Sequence, residues 1–131
     1  MSHFASALRF TDAGGYPFLL STPLVYRSDL LGPIHIPKGF KTDLASIPWF
    51  AQPLFHFLRV GRYDRAAVVH DWLYATQYQR KAVCDRVLLE AMLADDVGSW
   101  PAHLIYWGVR IGGFWAWHSD HKTIRKFRHY R

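Results

Sequence analysis

The chain has 131 residues, of which 50% are hydrophobic and 17% aromatic, and this composition excludes a largely disordered protein. Its single cysteine, Cys84, excludes an internal disulfide framework. The formal net charge of +6 is concentrated at one end, because residues 121–131 contain five Lys and Arg and no acid. We therefore expect one nearly neutral globular domain over residues 1–120 and a basic C-terminal tail over residues 121–131.

The basic tail and the apolar segments limit the kinds of partner that the chain can have. The tail could bind an acidic protein patch or anionic lipid, or it could only add solubility. Nucleic acid is a poor candidate because the rest of the chain is not basic. The N-terminus lacks the pattern of a signal peptide, and the most apolar segment contains Arg110 and is shorter than the about 20 residues that cross a bilayer. We expect a protein without a transmembrane segment that is made in the cytoplasm.

The first half of the sequence predicts strands and turns. Residues 18–26 are rich in Leu, Val and aromatic residues, and Pro23 interrupts them, which is typical of an edge or bulged strand. Turn residues follow at 27–33, and residues 34–37 form a short alternating strand. Another turn is predicted at residues 12–15. These elements predict a small N-terminal antiparallel sheet.

The second half has a helical period. A short helix is expected after Ser46, and a second begins at Asp64, which we expect to be its N-cap. A third is predicted over residues 79–93, where apolar residues recur at helical spacing, and a long last helix over residues 100–117. The sequence thus predicts an α+β fold in which the small sheet is followed by a bundle of three main helices.

Four polar residues in the middle helices carry the candidate chemistry. His70 and Tyr74 are four residues apart and lie on one helix face, and Asp71 is about 100° round the helix from His70. A short connection returns the next helix antiparallel, which brings Asp85 within reach of His70 or Tyr74. A carboxylate on one imidazole nitrogen fixes the tautomer and leaves the other nitrogen to accept a proton from water. We predict His70, Asp85 and Tyr74 as catalytic residues and Asp71 as a cation ligand.

Two further residues bear on this site. Asp43 lies between the predicted sheet and the Ser46 helix, where it could be a second metal ligand or could only cap the turn. Arg110 is the one charged residue of an apolar helix and is expected to pair with Asp71, Asp85 or Asp43; pairing with Asp71 would exclude calcium there. The alternative to catalysis is a satisfied polar network that only holds two helices together.

The arrangement His70-Asp71-x-x-Tyr74, followed on the next helix by Asp85, resembles the core of the phospholipase A2 families. The resemblance covers about 17 residues. It implies that His70 activates water, that Asp71 binds calcium, and that Tyr74 and Asp85 orient His70. The sequence departs from those enzymes because it has no disulfide framework and no glycine-rich calcium loop, so the metal, calcium or zinc, stays open.

A second resemblance covers more of the chain. Residues 37–48, 66–74, 80–85 and 106–110 resemble a family of short proteins of unknown function from tailed bacteriophages and prophages. The resemblance extends over roughly residues 16–117 and implies a phage origin and a late-gene role. The tail lies outside it.

Together these features predict a phage accessory protein with a hydrolase-like site. The substrate would be an ester or amide of a lipid or of another cell-envelope component, and its apolar surroundings favour a lipid. The alternative is a non-catalytic virion component, such as a tail or baseplate accessory, that binds phage structural proteins. A third reading is a small protein that binds a host factor through its basic tail. Synthesis in the host cytoplasm is expected in each case, and the virion is the second expected location for the first two.

Overall fold

The N-terminal part of the chain forms short antiparallel strands in two sheets. The computed structural model describes residues 2–11, 18–42 and 63–119. One three-stranded sheet has the order β1–β4–β5 and the other has the order β2–β3–β6. The strands are β1 His3–Phe4, β2 Phe10–Thr11, β3 Phe18–Leu20, β4 Leu24–Ser28, β5 Gly32–Ile36 and β6 Lys41–Thr42.

The β4–β5 hairpin is the longest strand pair among the described residues, and its side chains alternate between the core and solvent. Leu24 and Tyr26 on β4, and Ile34 and Ile36 on β5, are buried, as expected for strands with one face on the core. The turn is closed by the Ser28 hydroxyl, which accepts hydrogen bonds from the backbone N–H groups of Leu30 and Leu31. The prediction of a single edge or bulged strand over residues 18–26 is wrong, because β3 and β4 are separate strands in different sheets, with Pro23 between them.

Three main helices follow the strands. They are α1 Asp64–Thr76, α2 Lys81–Ala94 and α3 Ser99–Gly112, and the short α4 Phe114–Ser119 comes after them. Helix α1 packs against α2, and α2 packs against α3. The hydrophobic core lies between these helices and the β4–β5 hairpin, and its helical members include Val68, Leu73, Val87, Leu88 and Met92.

The predicted α+β fold, with a small antiparallel sheet followed by three main helices, is confirmed. Two details differ from the expectation. Asp64 is the first residue of α1 rather than its N-cap, which is Tyr63. The predicted long last helix ends at Gly112, and Gly113 separates it from α4 because two successive glycines are poor helix formers.

Some predicted features fall outside the described residues. These are the turn at residues 12–15, the short helix after Ser46 and the basic tail at residues 121–131. In the segments that the structure describes, no helix has the length and apolar character needed to cross a membrane.

Candidate active site

The site forms where α1 packs against α2, and it brings together the three predicted catalytic residues. The Nε2 atom of His70 lies 2.9 Å from Oδ1 of Asp85, and the hydroxyl of Tyr74 donates a hydrogen bond of 2.6 Å to the same oxygen. His70 and Tyr74 meet Asp85 together because their four-residue spacing places them on one face of α1. The prediction from spacing is confirmed for these contacts.

The second oxygen of Asp85 is held by two cations. Lys81, one turn earlier on α2, donates a 2.7 Å hydrogen bond to Oδ2, and Arg110 of α3 approaches the same atom at 3.4 Å. Of the three carboxylates open to Arg110 in the sequence, Asp85 is the one it pairs with. Asp85 is fully buried. Its donors come from three helices: His70 and Tyr74 from α1, Lys81 from α2 and Arg110 from α3.

These donors keep the Asp85 carboxyl group ionised. Burial by itself raises the pKa of Asp85, because a charged carboxylate is poorly solvated inside a protein. The hydrogen bonds from His70, Lys81 and Tyr74 outweigh burial and bring the pKa down to about 2. The pKa of Tyr74 is raised, chiefly by burial and then by its hydrogen bond to the negative Asp85. Tyr74 therefore stays a neutral hydrogen-bond donor.

The contacts of His70 determine which ring nitrogen is available for chemistry. The nitrogen that faces the carboxylate must carry the hydrogen, so Nε2 is the donor and Nδ1 has a free lone pair. Nδ1 has no hydrogen-bond partner among the described residues, and in those residues no side-chain nitrogen or oxygen sealed from solvent lacks a partner. His70 as a whole is 4% exposed.

The C-terminal end of α3 closes one side of the site. Lys81 also donates hydrogen bonds to the backbone carbonyl groups of Val109 and Arg110, at 3.2 and 3.3 Å. Carbonyl groups in the last turn of a helix lack the usual partners within the helix, and Lys81 supplies a donor to these two. The Val109 carbonyl also accepts a 2.7 Å hydrogen bond from the Gly113 N–H. The Tyr74 ring contacts the Trp117 ring edge to face, with centroids 5.1 Å apart. The ion pairs on Asp85 are therefore tied to the packing of α3 and α4.

Lys81 is the site residue that sequence analysis missed. Its spacing of four residues from Asp85 is a helical ion-pair signal that could have identified it. Cys84, next to Asp85, is buried, and burial raises the pKa of its thiol to about 12. Cys84 thus belongs to the core rather than to the chemistry of the site.

Only one of the two residues predicted as metal ligands lies in the described part of the structure. Asp71 is partly exposed and lies next to His70 on α1, and Asp43 is outside the described residues. Within residues 2–11, 18–42 and 63–119, no group of three or more His, Cys, Asp or Glu side chains could hold a metal ion. We therefore assign no chemical step to a metal, and the metal site stays a prediction.

Comparison with known proteins places this site inside a recognised sequence family. A family profile described as "Protein of unknown function (DUF1353)" matches residues 18–109. The match includes His70, Tyr74, Lys81 and Asp85 and ends one residue before Arg110.

Two curated relatives come from Sinorhizobium fredii (strain NBRC 101917 / NGR234). The uncharacterized protein y4jT is 28% identical over 93 residues, which are 71% of this chain and 27% of that protein. The uncharacterized protein y4iH is 36% identical over 76 residues, which are 58% of this chain and 32% of that protein. The chain thus spans about a third or less of the relatives it matches. No solved structure matches the chain.

Proposed function

The chain belongs to the DUF1353 family of proteins of unknown function, and we propose from the geometry of its α1–α2 interface that it is a hydrolase in which His70 activates water. The single observation that supports this proposal is the two-sided arrangement of the His70 ring. Nε2 is bound to the buried Asp85, while Nδ1 has no partner among the described residues. A general base needs this combination of a fixed ring and an available nitrogen.

The proposed reaction is hydrolysis of an ester or amide. A proton of the attacking water moves to Nδ1 of His70 as the water oxygen bonds to the carbonyl carbon. The tetrahedral intermediate then expels the alcohol or amine, which takes the proton back from Nδ1. The positive charge that the ring carries between these steps is offset by Asp85.

The other residues of the site position Asp85 rather than contact the substrate. The Tyr74 hydroxyl holds the same oxygen that faces His70, and Lys81 holds the opposite oxygen. Because the pKa of Asp85 is about 2, the carboxylate is ionised at any pH at which the enzyme would work. Lys81 and Arg110 also have an opposing effect, because their positive charges reduce the negative potential that Asp85 exerts on His70.

The biological setting that fits best is a phage or prophage. The resemblance of residues 16–117 to short proteins of tailed bacteriophages supports a late-gene accessory role, with synthesis in the host cytoplasm and association with the virion. A lipid or another cell-envelope component is the substrate class we propose. The local resemblance to phospholipase A2 supports a lipid ester, and it rests on His70, Tyr74 and Asp85, whose contacts agree with it.

The proposed function is tested by measuring acid release from phospholipid vesicles and from isolated cell envelopes, with the full chain as enzyme. We expect release by the wild type, and we expect His70→Gln to reduce it at least about a hundredfold because the general base is lost. The matched control is His35→Gln, since His35 is exposed on β5. No release by the wild type, or equal release by His70→Gln, would reject the hydrolase.

A second candidate function is a non-catalytic virion component. The observation that favours it is the saturation of Asp85, which accepts from His70, Tyr74, Lys81 and Arg110 and thereby links three helices. In this case the cluster only fixes the helix packing, and the protein binds phage structural proteins. The two candidates are distinguished by variants that retain the fold, because only the hydrolase loses activity when His70 is replaced.

A further inference from the structure

Helix α3 carries a stripe of large apolar side chains on the side that faces away from the core. The stripe consists of Trp100, Leu104, Trp107 and Ile111, whose spacing places them on one side of the helix. Trp100 is 65% exposed and Ile111 is 80% exposed. The exposed Phe114 extends the apolar surface onto α4.

The opposite side of α3 carries smaller residues. Ala102 and Ile105 are buried in the core, and Val109 packs against it. Burying a Trp side chain stabilises a fold more than burying Ala, yet here the Trp residues are the ones left in solvent. A helix that is apolar all round is normally covered on all sides. The outward stripe therefore indicates a surface that another body covers.

The charge of the surrounding sequence indicates the chemistry of that body. Residues 121–131 contain five Lys and Arg and no acid, and Asp120 is the one acid in the sequence from Val97 onward. A second copy of this chain has the same positive net charge and offers no complementary excess of acid. An anionic lipid surface instead provides apolar chains for the stripe and negative headgroups for the cationic residues.

We propose that α3 docks flat on an anionic membrane through the stripe of Trp100, Leu104, Trp107 and Ile111, with the basic tail binding the headgroups. The Trp residues suit this position because an indole ring is stable at the boundary between acyl chains and water. Docking needs no catalysis and goes beyond the proposed hydrolysis. Arg110 lies on the same helix and contacts Asp85, so the docked helix is linked to the site.

The test is co-sedimentation of the full-length protein with vesicles of phosphatidylcholine, with and without phosphatidylglycerol. We expect binding to the anionic vesicles together with a blue shift of Trp fluorescence. The double variant Trp107→Gln/Ile111→Gln should bind at least about tenfold more weakly because two apolar anchors are lost. The matched control is Leu30→Gln, because Leu30 is also exposed but lies in the β4–β5 turn.

Every other outcome overturns the proposal. Equal vesicle binding by the double variant would mean that the stripe does not contact lipid. Failure of the wild type to bind would leave a second copy or a protein partner as the occupant. Sedimentation equilibrium then separates these two, because a dimer of the wild type that the double variant abolishes would identify a second copy. Since the measurements need no turnover, His70→Gln protein gives the same answer whether or not the hydrolase proposal holds.

Discussion

Asp85 is the residue on which both candidate functions depend. It is fully buried and ionised, and its four donors come from three helices. A buried carboxylate of this kind is stabilising only while its partners stay in place, since the cost of desolvation is offset by their hydrogen bonds. Removing the charge leaves Lys81 partly buried beside a neutral group. Replacing Asp85 should therefore lower the stability of the helix bundle more than replacing another acidic residue.

The variant Asp85→Asn tests this response. We expect it to lower the free energy of unfolding at neutral pH by about 3–5 kcal/mol, the range for breaking a buried ion pair. Urea denaturation followed by circular dichroism measures the change. Asp96→Asn is the matched control, because Asp96 is exposed and its backbone, with φ of 62°, is in a region that Asn tolerates. A loss as small as that of the control would show that the ion pairs on Asp85 contribute little.

The same carboxyl group predicts a pH dependence. Its pKa is lowered from 3.8 to about 2 in the folded protein, so its contribution to stability is present above pH 3.8 and is lost as the pH falls towards 2. The shift corresponds to roughly 2 kcal/mol. The difference in unfolding free energy between the wild type and Asp85→Asn should shrink by that amount between about pH 5 and pH 2. A difference that stays constant over this range would contradict the assignment.

At the scale of helices and strands, Gly113 controls how α3 and α4 meet. A Cβ atom at this position would lie 2.5 Å from the Val109 carbonyl oxygen and 3.0 Å from the Tyr74 hydroxyl. The break between the two helices thus allows the chain to approach the hydroxyl that holds Asp85. A side chain at 113 should disturb both the helix end and the site.

The pair of variants Gly113→Ala and Gly112→Ala tests this role. The first should lower the free energy of unfolding by about 1–3 kcal/mol through overpacking. The second should leave it unchanged or raise it by up to about 1 kcal/mol, because Ala favours helix and its Cβ would have no neighbour within 4 Å. Thermal denaturation compares them. If both variants behave alike, the close approach at Gly113 has no energetic consequence.

The sequence predicts local arrangement better than the packing of distant helices. The contacts of His70 and Tyr74 with Asp85 were predictable because four-residue spacing places both on one helix face and a short connection returns the next helix against it. Lys81 was overlooked because a lysine on a helix usually projects into solvent. Which carboxylate Arg110 would choose could not be predicted, since this depends on how α3 packs against α2.

At the scale of the whole molecule, apolar exposure and positive charge coincide in the last third of the chain. The exposed stripe of α3 is followed by the tail with its five Lys and Arg. If the two act together on an anionic surface, apolar contact should be insensitive to salt, while the attraction of the tail should be screened. Binding would then have two separable components.

Salt titration separates these components. Binding of the wild type to phosphatidylglycerol vesicles should weaken as the NaCl concentration rises. In the variant Arg125→Gln/Lys126→Gln the dependence on salt should be less steep, while the blue shift of Trp fluorescence in the bound state should persist. Vesicle co-sedimentation over a salt series measures both quantities. An unchanged salt dependence in the variant would exclude the tail from the lipid contact.

The most direct test of the central claim is the position of the ring proton on His70, measured by long-range ¹H–¹⁵N NMR with His70→Gln to assign the signals. We predict that the neutral ring carries its proton on Nε2, where it donates to Asp85, and has a free lone pair on Nδ1. This tautomer is the one that can accept a proton from water. A proton on Nδ1 of the neutral ring would contradict this prediction, because the nitrogen that does not contact Asp85 could then not act as the base.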